Sequence, residues 1–196
     1  MAAARPSAVR ARAGIRRHRG SVAARAGAPR ETALAVYRIR RATAADAGVL
    51  ARHRAGMFRD MGELPDDLHD TLIEAARAYF TQAIADRRYV GWVAQLDDES
   101  GEIVGGAGLQ LRELLPRPDV ARGRLVRGPQ GLILNVYTER AWRRRGVAAA
   151  LMRELLGWCR ENGIESVVLH ASAEGRPLYE KLGFTSTNEM RYPGDP

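Results

Sequence analysis

The sequence predicts a mixed α/β (α+β) domain whose elements follow the order β-α-α-β-β-β-α-β-α-β. Three observations carry this prediction. Residues 131–138 are almost continuously apolar, which is typical of a central strand buried on both faces. Between Val147 and Cys159, apolar residues recur at three-to-four spacing, which indicates an amphipathic helix. Residues 89–96 and 102–111 are strand-like runs joined by a polar turn, which indicates a hairpin.

One strand and two helices are expected before that hairpin. The alternating residues 36–41 predict the first strand. Thr43 is a candidate helix N-cap with Asp46 as its capping-box partner, so the first helix should run to about Phe58. A second helix is expected from Asp66, because apolar residues then recur at helical spacing: Leu68, Leu72, Ile73, Ala76, Tyr79, Phe80 and Ile84.

The second strand of the hairpin carries an unusual group of glycines. Gly105, Gly106 and Gly108 within residues 102–111 indicate a β-bulge or a close neighbour. The following residues 112–130 are rich in proline, glycine and arginine, which predicts a long irregular loop.

Four elements are expected after the central strand. The helix that begins near Val147 should stop at Asn162 and Gly163. Residues 165–171 then predict a strand, residues 174–182 a short helix, and residues 184–190 a last strand.

Composition excludes several classes of protein. No apolar run approaches the roughly 18 residues of a membrane span, so no membrane partner is expected. A single cysteine, Cys159, excludes an internal disulfide framework and favours a cytoplasmic location, and its place on the helical apolar stripe predicts a core residue. A metal site is not expected, because the histidines show no paired ligand spacing: His18, His53, His69 and His170.

The formal net charge of +8 belongs to the N-terminal segment. Residues 1–30 hold eight arginines and no acid, and removing these eight from the 31 basic residues leaves 23, equal to the 23 acidic ones. We predict that residues 1–34 are a disordered tail or an artefact of start-site choice, and that residues 35–196 form one domain. The alternative is a functional arm that binds nucleic acid. No other part of the chain predicts a nucleic-acid partner.

Residues 143–148, Arg-Arg-Arg-Gly-Val-Ala, stand between the central strand and the following helix. The N–H groups at a helix start and the helix dipole both favour an anion such as a phosphate. Gly146 allows close approach of the backbone, Ala148 keeps the first turn small, and the arginines add positive charge. A simple strand-to-helix turn on a basic surface is the alternative.

Two motifs together resemble those of the GNAT superfamily of acetyl-CoA-dependent N-acetyltransferases. The first is Arg-x-x-Gly-x-Ala at residues 143–148, and the second is Leu-Tyr-x-Lys-x-Gly-Phe at residues 178–184. The resemblance covers about residues 36–192. It implies a mixed, mostly antiparallel central sheet flanked by helices, with acetyl-CoA as acyl donor and no metal.

The resemblance also implies a donor site. Its expected cofactor-binding residues are Val136, Tyr137, Thr138, Arg143, Arg144, Arg145, Gly146, Val147, Ala148, Ala149 and Ser172. Backbone N–H groups near a bulge in the central strand would bond the thioester carbonyl oxygen. Tyr179 would protonate the leaving thiolate. Alternatively, Tyr179 is a core tyrosine with a backbone partner.

The sequence leaves the general base and the acceptor open. Glu113, Glu139 and His170 each end or follow a predicted strand and are candidate bases. Candidate acceptor-binding residues are Asn135, Phe58 and Met61. Acidic residues near the second helix would suit a cationic amine or would simply complement the helix dipole: Glu63, Asp66, Asp67 and Asp70.

The predicted function is acetyl transfer from acetyl-CoA to a primary amine of a small molecule or peptide, by direct attack. The alternatives are a non-catalytic acyl-CoA sensor module and a ribosomal or other protein N-acetyltransferase anchored by the basic tail. Dimers are common in the family, so a homodimer is a further expectation.

Overall fold

The computed structural model describes residues 37–120, 122–190 and 192. The elements are β1 (Tyr37–Arg41), α1 (Ala47–Asp60), α2 (His69–Ala85), β2 (Tyr89–Leu96), β3 (Ile103–Glu113), β4 (Arg117–Asp119), β5 (Arg124–Val126), β6 (Pro129–Thr138), α3 (Val147–Glu161), β7 (Ser166–Leu169) and α4 (Arg176–Lys181). Five of these strands form the central sheet in the order β1-β2-β3-β6-β7, antiparallel throughout except for the parallel β6–β7 pair. The predictions for the tail fall outside the described residues.

Helices cover both faces of this sheet. Successive side chains of a strand point to opposite faces. In β2, Trp92 and Ala94 pack in one buried cluster with Leu151 and Leu155 of α3. Val93 packs in the other cluster, which contains residues of α1 and α2. The predicted fold class, a mostly antiparallel sheet flanked by helices, is therefore confirmed.

Four predicted elements differ from the structure. Residues 184–190 form no strand, so the predicted last strand is wrong; only Phe184 of this segment is half-buried, and the rest is exposed. The loop at residues 112–130 contains a small hairpin, β4 with β5, and the start of β6. Helices α1 and α2 each begin three residues after the predicted start. A single 3-10 turn precedes each of them, Ala44–Asp46 before α1 and Asp66–Leu68 before α2.

The bulge expected from the glycines lies where β3 meets β6. Gly106 pairs with Tyr137, but Gly108 pairs with Leu134, so two residues of β6 oppose the single residue Ala107. A Cβ atom at Gly105 would lie only 3.0 Å from the Tyr137 carbonyl oxygen. The close neighbour is therefore confirmed, whereas the extra residue of this bulge lies in β6 and not in the glycine-bearing strand.

The predicted capping pair also joins β1 to α1. The Asp46 carboxylate accepts two hydrogen bonds from Arg40, at 2.9 and 2.8 Å, and one from the Thr43 backbone N–H at 2.7 Å. Asp46 is 6% exposed. The Arg40 hydrogen bonds lower the pKa of Asp46, and they outweigh the opposing effect of burial.

We expect Asp46→Asn to lower the free energy of unfolding at pH 7 by about 2–3 kcal/mol, because the buried carboxylate that pairs with the half-buried Arg40 guanidinium is lost. A lowered pKa in the folded state stabilises the fold above the unfolded-state value of about 3.9. This contribution disappears as the pH falls through the lower folded value, so the two proteins should converge there. Urea unfolding across pH measures both effects. Asp97→Asn is the control, since Asp97 is exposed and its carboxylate lies 3.7 Å from Arg38, which is too long for a hydrogen bond. An equal loss of stability in both variants would contradict this account.

Candidate functional site

The turn before α3 presents free backbone donors. Gly146 is the N-cap of α3 and has a φ of +82°, in the left-handed region that favours glycine. The first helical hydrogen bond runs from the Ala150 N–H to the Gly146 carbonyl at 2.9 Å. The N–H groups of Val147, Ala148 and Ala149 therefore have no acceptor within the helix. A Cβ atom at Gly146 would meet no atom within 4 Å, so space lies beside these donors.

The three arginines of the turn have different environments. Arg143 donates to the Thr138 carbonyl at 3.0 Å and forms an ion pair with Asp60 of α1. Arg145 stacks on Trp142, with 5.1 Å between the guanidinium carbon and the ring centroid. Arg144 is exposed and has a φ of +61°. Arg143 thus links the turn to α1, whereas Arg144 and Arg145 are exposed.

Asp60 of α1 forms ion pairs with two arginines, Arg140 and Arg143. Arg140 also donates to it, at 2.6 Å. Burial would raise the pKa of Asp60, but the hydrogen bonds from Arg140 and Arg143 lower it overall. Asp60 was not among the sequence candidates, because its partners lie about 80 residues away along the chain.

The bulge of β6 lies where this strand leaves β7. Parallel pairing ends at Ile133 and Leu169, whereas β6 continues to Thr138. Asn135 at the bulge has a φ of +58°. Val136, Tyr137 and Thr138 thus form an edge without a strand partner on the β7 side, within the described residues. Such an edge can offer N–H groups to a ligand.

The Asn135 side chain is buried within the site. Its Nδ2 donates to the Leu50 carbonyl at 3.1 Å, while its Oδ1 has no hydrogen-bond partner. An unpaired buried acceptor is costly. This atom is therefore suited to accept a hydrogen bond from a ligand donor.

Tyr179 lies on α4 and is half-buried. Its ring packs edge-to-face on Phe184, with 6.0 Å between centroids. Burial raises its pKa, so the phenol stays protonated at neutral pH and can donate a proton. Ser172 precedes the helix and accepts the Gly175 N–H at 3.1 Å.

The three candidate bases lie in different places. Glu113 pairs with Pro129 at the start of β6, six residues before the bulge, or about 20 Å along a strand. His170 is exposed, 3.5 Å from Glu189, and lines a cavity of about 650 Å³ beside β7 together with Tyr179. Glu139 directly follows β6 and donates its backbone N–H to the Val104 carbonyl at 2.9 Å. Only Glu139 adjoins the unpaired edge of β6.

Sequence reasoning missed a buried histidine next to Glu139. His53 of α1 is fully buried, with its Nε2 3.4 Å from the Glu139 carboxylate and its ring 5.1 Å from Tyr137. Burial lowers the pKa of His53 to about 4, so its ring is neutral. Burial also raises the pKa of Glu139, with a smaller contribution from Glu102. A histidine on the apolar face of α1 was the available signal.

The candidate acceptor residues lie at the end of α1. Phe58 is half-buried, with the Arg54 guanidinium 4.9 Å from its ring centroid. Met61 follows the helix and is 37% exposed. The acidic residues Asp66, Asp67 and Asp70 are exposed at the start of α2.

Two further findings concern the described residues only. No group of three or more His, Cys, Asp or Glu side chains in this part of the chain is arranged to hold a metal ion. None of its helices has the length and apolar character needed to span a membrane. Cys159 is 2% exposed, and burial raises its pKa to about 11, which confirms it as a core residue.

Known proteins resemble this chain over most of its length. The model of the acetyltransferase (GNAT) family matches residues 58–184. An aminoglycoside N(6')-acetyltransferase type 1 of Stenotrophomonas maltophilia is 27% identical over 157 residues, which are 79% of this chain and 90% of that enzyme. A glucosamine 6-phosphate N-acetyltransferase of Trypanosoma brucei brucei is 36% identical over 104 residues, or 52% of this chain and 65% of that enzyme.

The fold is shared with solved structures. A predicted acetyltransferase from Clostridium acetobutylicum, solved with acetyl-CoA, superposes with a TM-score of 0.67 at 28% identity. The match covers 81% of this chain and 96% of that one.

Proposed function

Because the chain belongs to the acetyltransferase (GNAT) family, we propose that it transfers an acetyl group from acetyl-CoA to a primary amine of a small molecule or peptide. The observation that carries this proposal is the turn at Gly146, where three N–H groups at the start of α3 lack helical acceptors and the space beside Gly146 is open. These donors suit the pyrophosphate of acetyl-CoA. Arg144, Arg145 and Ser172 are proposed to contact the same ligand.

The unpaired edge of β6 suits the rest of the donor. Acetyl-CoA would supply a thioester carbonyl to an attacking amine. Backbone N–H groups of Val136, Tyr137 and Thr138 would hold the carbonyl oxygen and stabilise the negative charge that develops on it. Asn135 has a positive φ at the bulge, where the regular pairing of β6 with β3 is interrupted.

Two side chains are proposed to move protons. Glu139 takes a proton from the amine, directly or through a water molecule, since a raised pKa makes a carboxylate a stronger base. Tyr179 gives a proton to the leaving thiolate. Glu113 and His170 are the less favoured bases, because one lies far from the bulge and the other is exposed beside β7.

Tyr179→Phe should lower kcat about tenfold and leave acetyl-CoA affinity unchanged, because the change removes a proton donor and keeps the ring. Steady-state kinetics and calorimetric titration measure the two quantities. Tyr37→Phe is the control, since Tyr37 is a half-buried residue of β1. A wild-type kcat in Tyr179→Phe would remove Tyr179 from this role.

An acetyl-CoA consumption screen against an amine library tests the proposed function as a whole. The two curated relatives are named for small-molecule amine acceptors, and this favours a small-molecule acceptor here. We expect turnover with at least one amine class and free CoA as a product. Tight acetyl-CoA binding without turnover of any amine would instead support the sensor alternative. The cytoplasmic location and the homodimer stay predictions from the sequence.

A further inference from the structure

A cavity of about 320 Å³ lies between the two N-terminal helices and the sheet, next to the bulge. Residues of α1 and α2 line its helical side, and residues of β2, β3 and β6 line its sheet side. Its lining residues are mostly apolar or aromatic: Arg54, Leu72, Ala75, Ala76, Tyr79, Phe80, Tyr89, Gln110 and Leu134. None of them is acidic, so Arg54 supplies the only formal charge of the lining.

Arg54 has no anionic partner in the described part of the chain. Arg40 and Arg143 each face a carboxylate, whereas no carboxylate lies within 4.0 Å of Arg54. Its guanidinium is half-buried and stacks on Phe58. Burial lowers the pKa of Arg54. A desolvated cation without a partner is costly, and an anion that enters the cavity would relieve this cost.

Two tyrosine hydroxyl groups add hydrogen-bond donors to the same cavity. The Tyr89 hydroxyl is buried beside the Asn135 side chain, and its O–H proton has no acceptor within hydrogen-bond geometry. Tyr79 accepts a hydrogen bond from Gln110 Nε2 at 2.8 Å, which leaves its own O–H proton free to donate. Arginine and hydroxyl donors around one apolar cavity are suited to a carboxylate or a phosphate group.

The cavity also adjoins the bulge of β6. Leu134 lines the cavity, and the next residue is Asn135, whose Oδ1 is buried without a partner. This oxygen can accept a hydrogen bond from an amine N–H. The cavity therefore combines the Arg54 and tyrosine donors with a buried acceptor at the bulge, within a mostly apolar lining.

We propose that Arg54 binds an anionic group of the amine acceptor, and that the acceptor is an amine with an apolar body and one carboxylate or phosphate group. This inference rests on the proposed function, because it takes the cavity as the acceptor site. A polycationic acceptor such as an aminoglycoside would be repelled by Arg54, since no acid of the lining would balance its charge.

Matched pairs of amines test the inference in the wild-type protein. One pair is 4-(aminomethyl)benzoate and benzylamine, and the other is tyramine O-phosphate and tyramine. We expect kcat/KM to be about tenfold to a hundredfold higher for the anionic member of at least one pair, and the pair that responds separates carboxylate from phosphate. Equal values within both pairs, or a preference for the uncharged members or for kanamycin, would overturn the inference.

Arg54→Met keeps an apolar stem and removes the charge, so it should abolish the preference by lowering kcat/KM for the anionic amines far more than for their uncharged partners. Arg54→Lys should restore part of it. Arg59→Met is the matched control, because Arg59 is an exposed arginine of the same helix. An Arg54→Met variant that keeps the wild-type preference would refute the role of Arg54. If this variant does not fold, the wild-type pairs still decide the question.

A binding measurement separates this inference from the proposed function. Benzoate and phenyl phosphate carry no amine, so calorimetric titration with them reports binding whether or not acetyl transfer occurs. Binding that weakens at least about tenfold in Arg54→Met, without turnover of any amine, would support the anion site and contradict the proposed function. Turnover of an amine together with anion binding that is unaffected by Arg54→Met would support the proposed function and contradict the anion site.

Discussion

Gly146→Asp is expected to weaken acetyl-CoA binding by at least about 100-fold, because it places a carboxylate beside the N–H groups that would hold the pyrophosphate. The wild-type site has free donors, the positive end of the α3 dipole and open space where the new side chain would project. An aspartate would occupy that space and would repel a second anion. Calorimetric titration of acetyl-CoA measures the effect.

The structure offers a matched control at the other end of the same helix. Gly163 also has a positive φ, +68°, and a Cβ atom there would also meet no atom within 4 Å. Gly163→Asp therefore carries a similar backbone strain of about 1–2 kcal/mol, without an aspartate at the proposed ligand site. It should keep wild-type affinity for acetyl-CoA. Gly146→Ala adds strain without charge and should give an intermediate loss, whereas wild-type affinity in Gly146→Asp would place the pyrophosphate elsewhere.

Glu139→Gln should lower kcat/KM about 100-fold, because it removes the proposed base and preserves the size of the side chain. The wild-type rate should fall as the pH decreases through the pKa of Glu139. Burial and Glu102 raise this pKa, so the acid limb should lie above the ordinary glutamate value of about 4.3. The glutamine variant should lack this limb. Rate profiles with one amine across pH measure both effects.

Glu102→Gln separates the proposed base from a merely structural residue. Glu102 is exposed and acts on Glu139 through its charge. Its removal should move the acid limb to lower pH with little change in the rate at the plateau. An acid limb that persists in Glu139→Gln, or that stays in place in Glu102→Gln, would assign the titration to another group.

Local patterns were sufficient for most of the fold. The apolar run of β6, the helical stripe of α3 and the capping pair Thr43 and Asp46 each depend on neighbours in the chain, so periodicity and turn chemistry predicted them. The last strand was wrong for the opposite reason. Strand propensity in residues 184–190 does not determine whether a sheet edge accepts them, and most of this segment is exposed.

The sequence by itself determined the elements on which the proposed donor site rests, because a strand, a glycine turn and a helix start are contiguous at residues 131–149. Only the tertiary structure decided the surroundings of the proposed acceptor site. Helix α1 brings His53 beside Glu139 and places Arg54 in a cavity with Tyr89 and Leu134, which lie 35 and 80 residues further along the chain. Whether a buried histidine is neutral, or an arginine lacks a carboxylate, depends on desolvation and on distant neighbours. The spacing of residues in the sequence predicts neither the desolvation of a side chain nor its distant neighbours, because both arise only when the helices pack on the sheet.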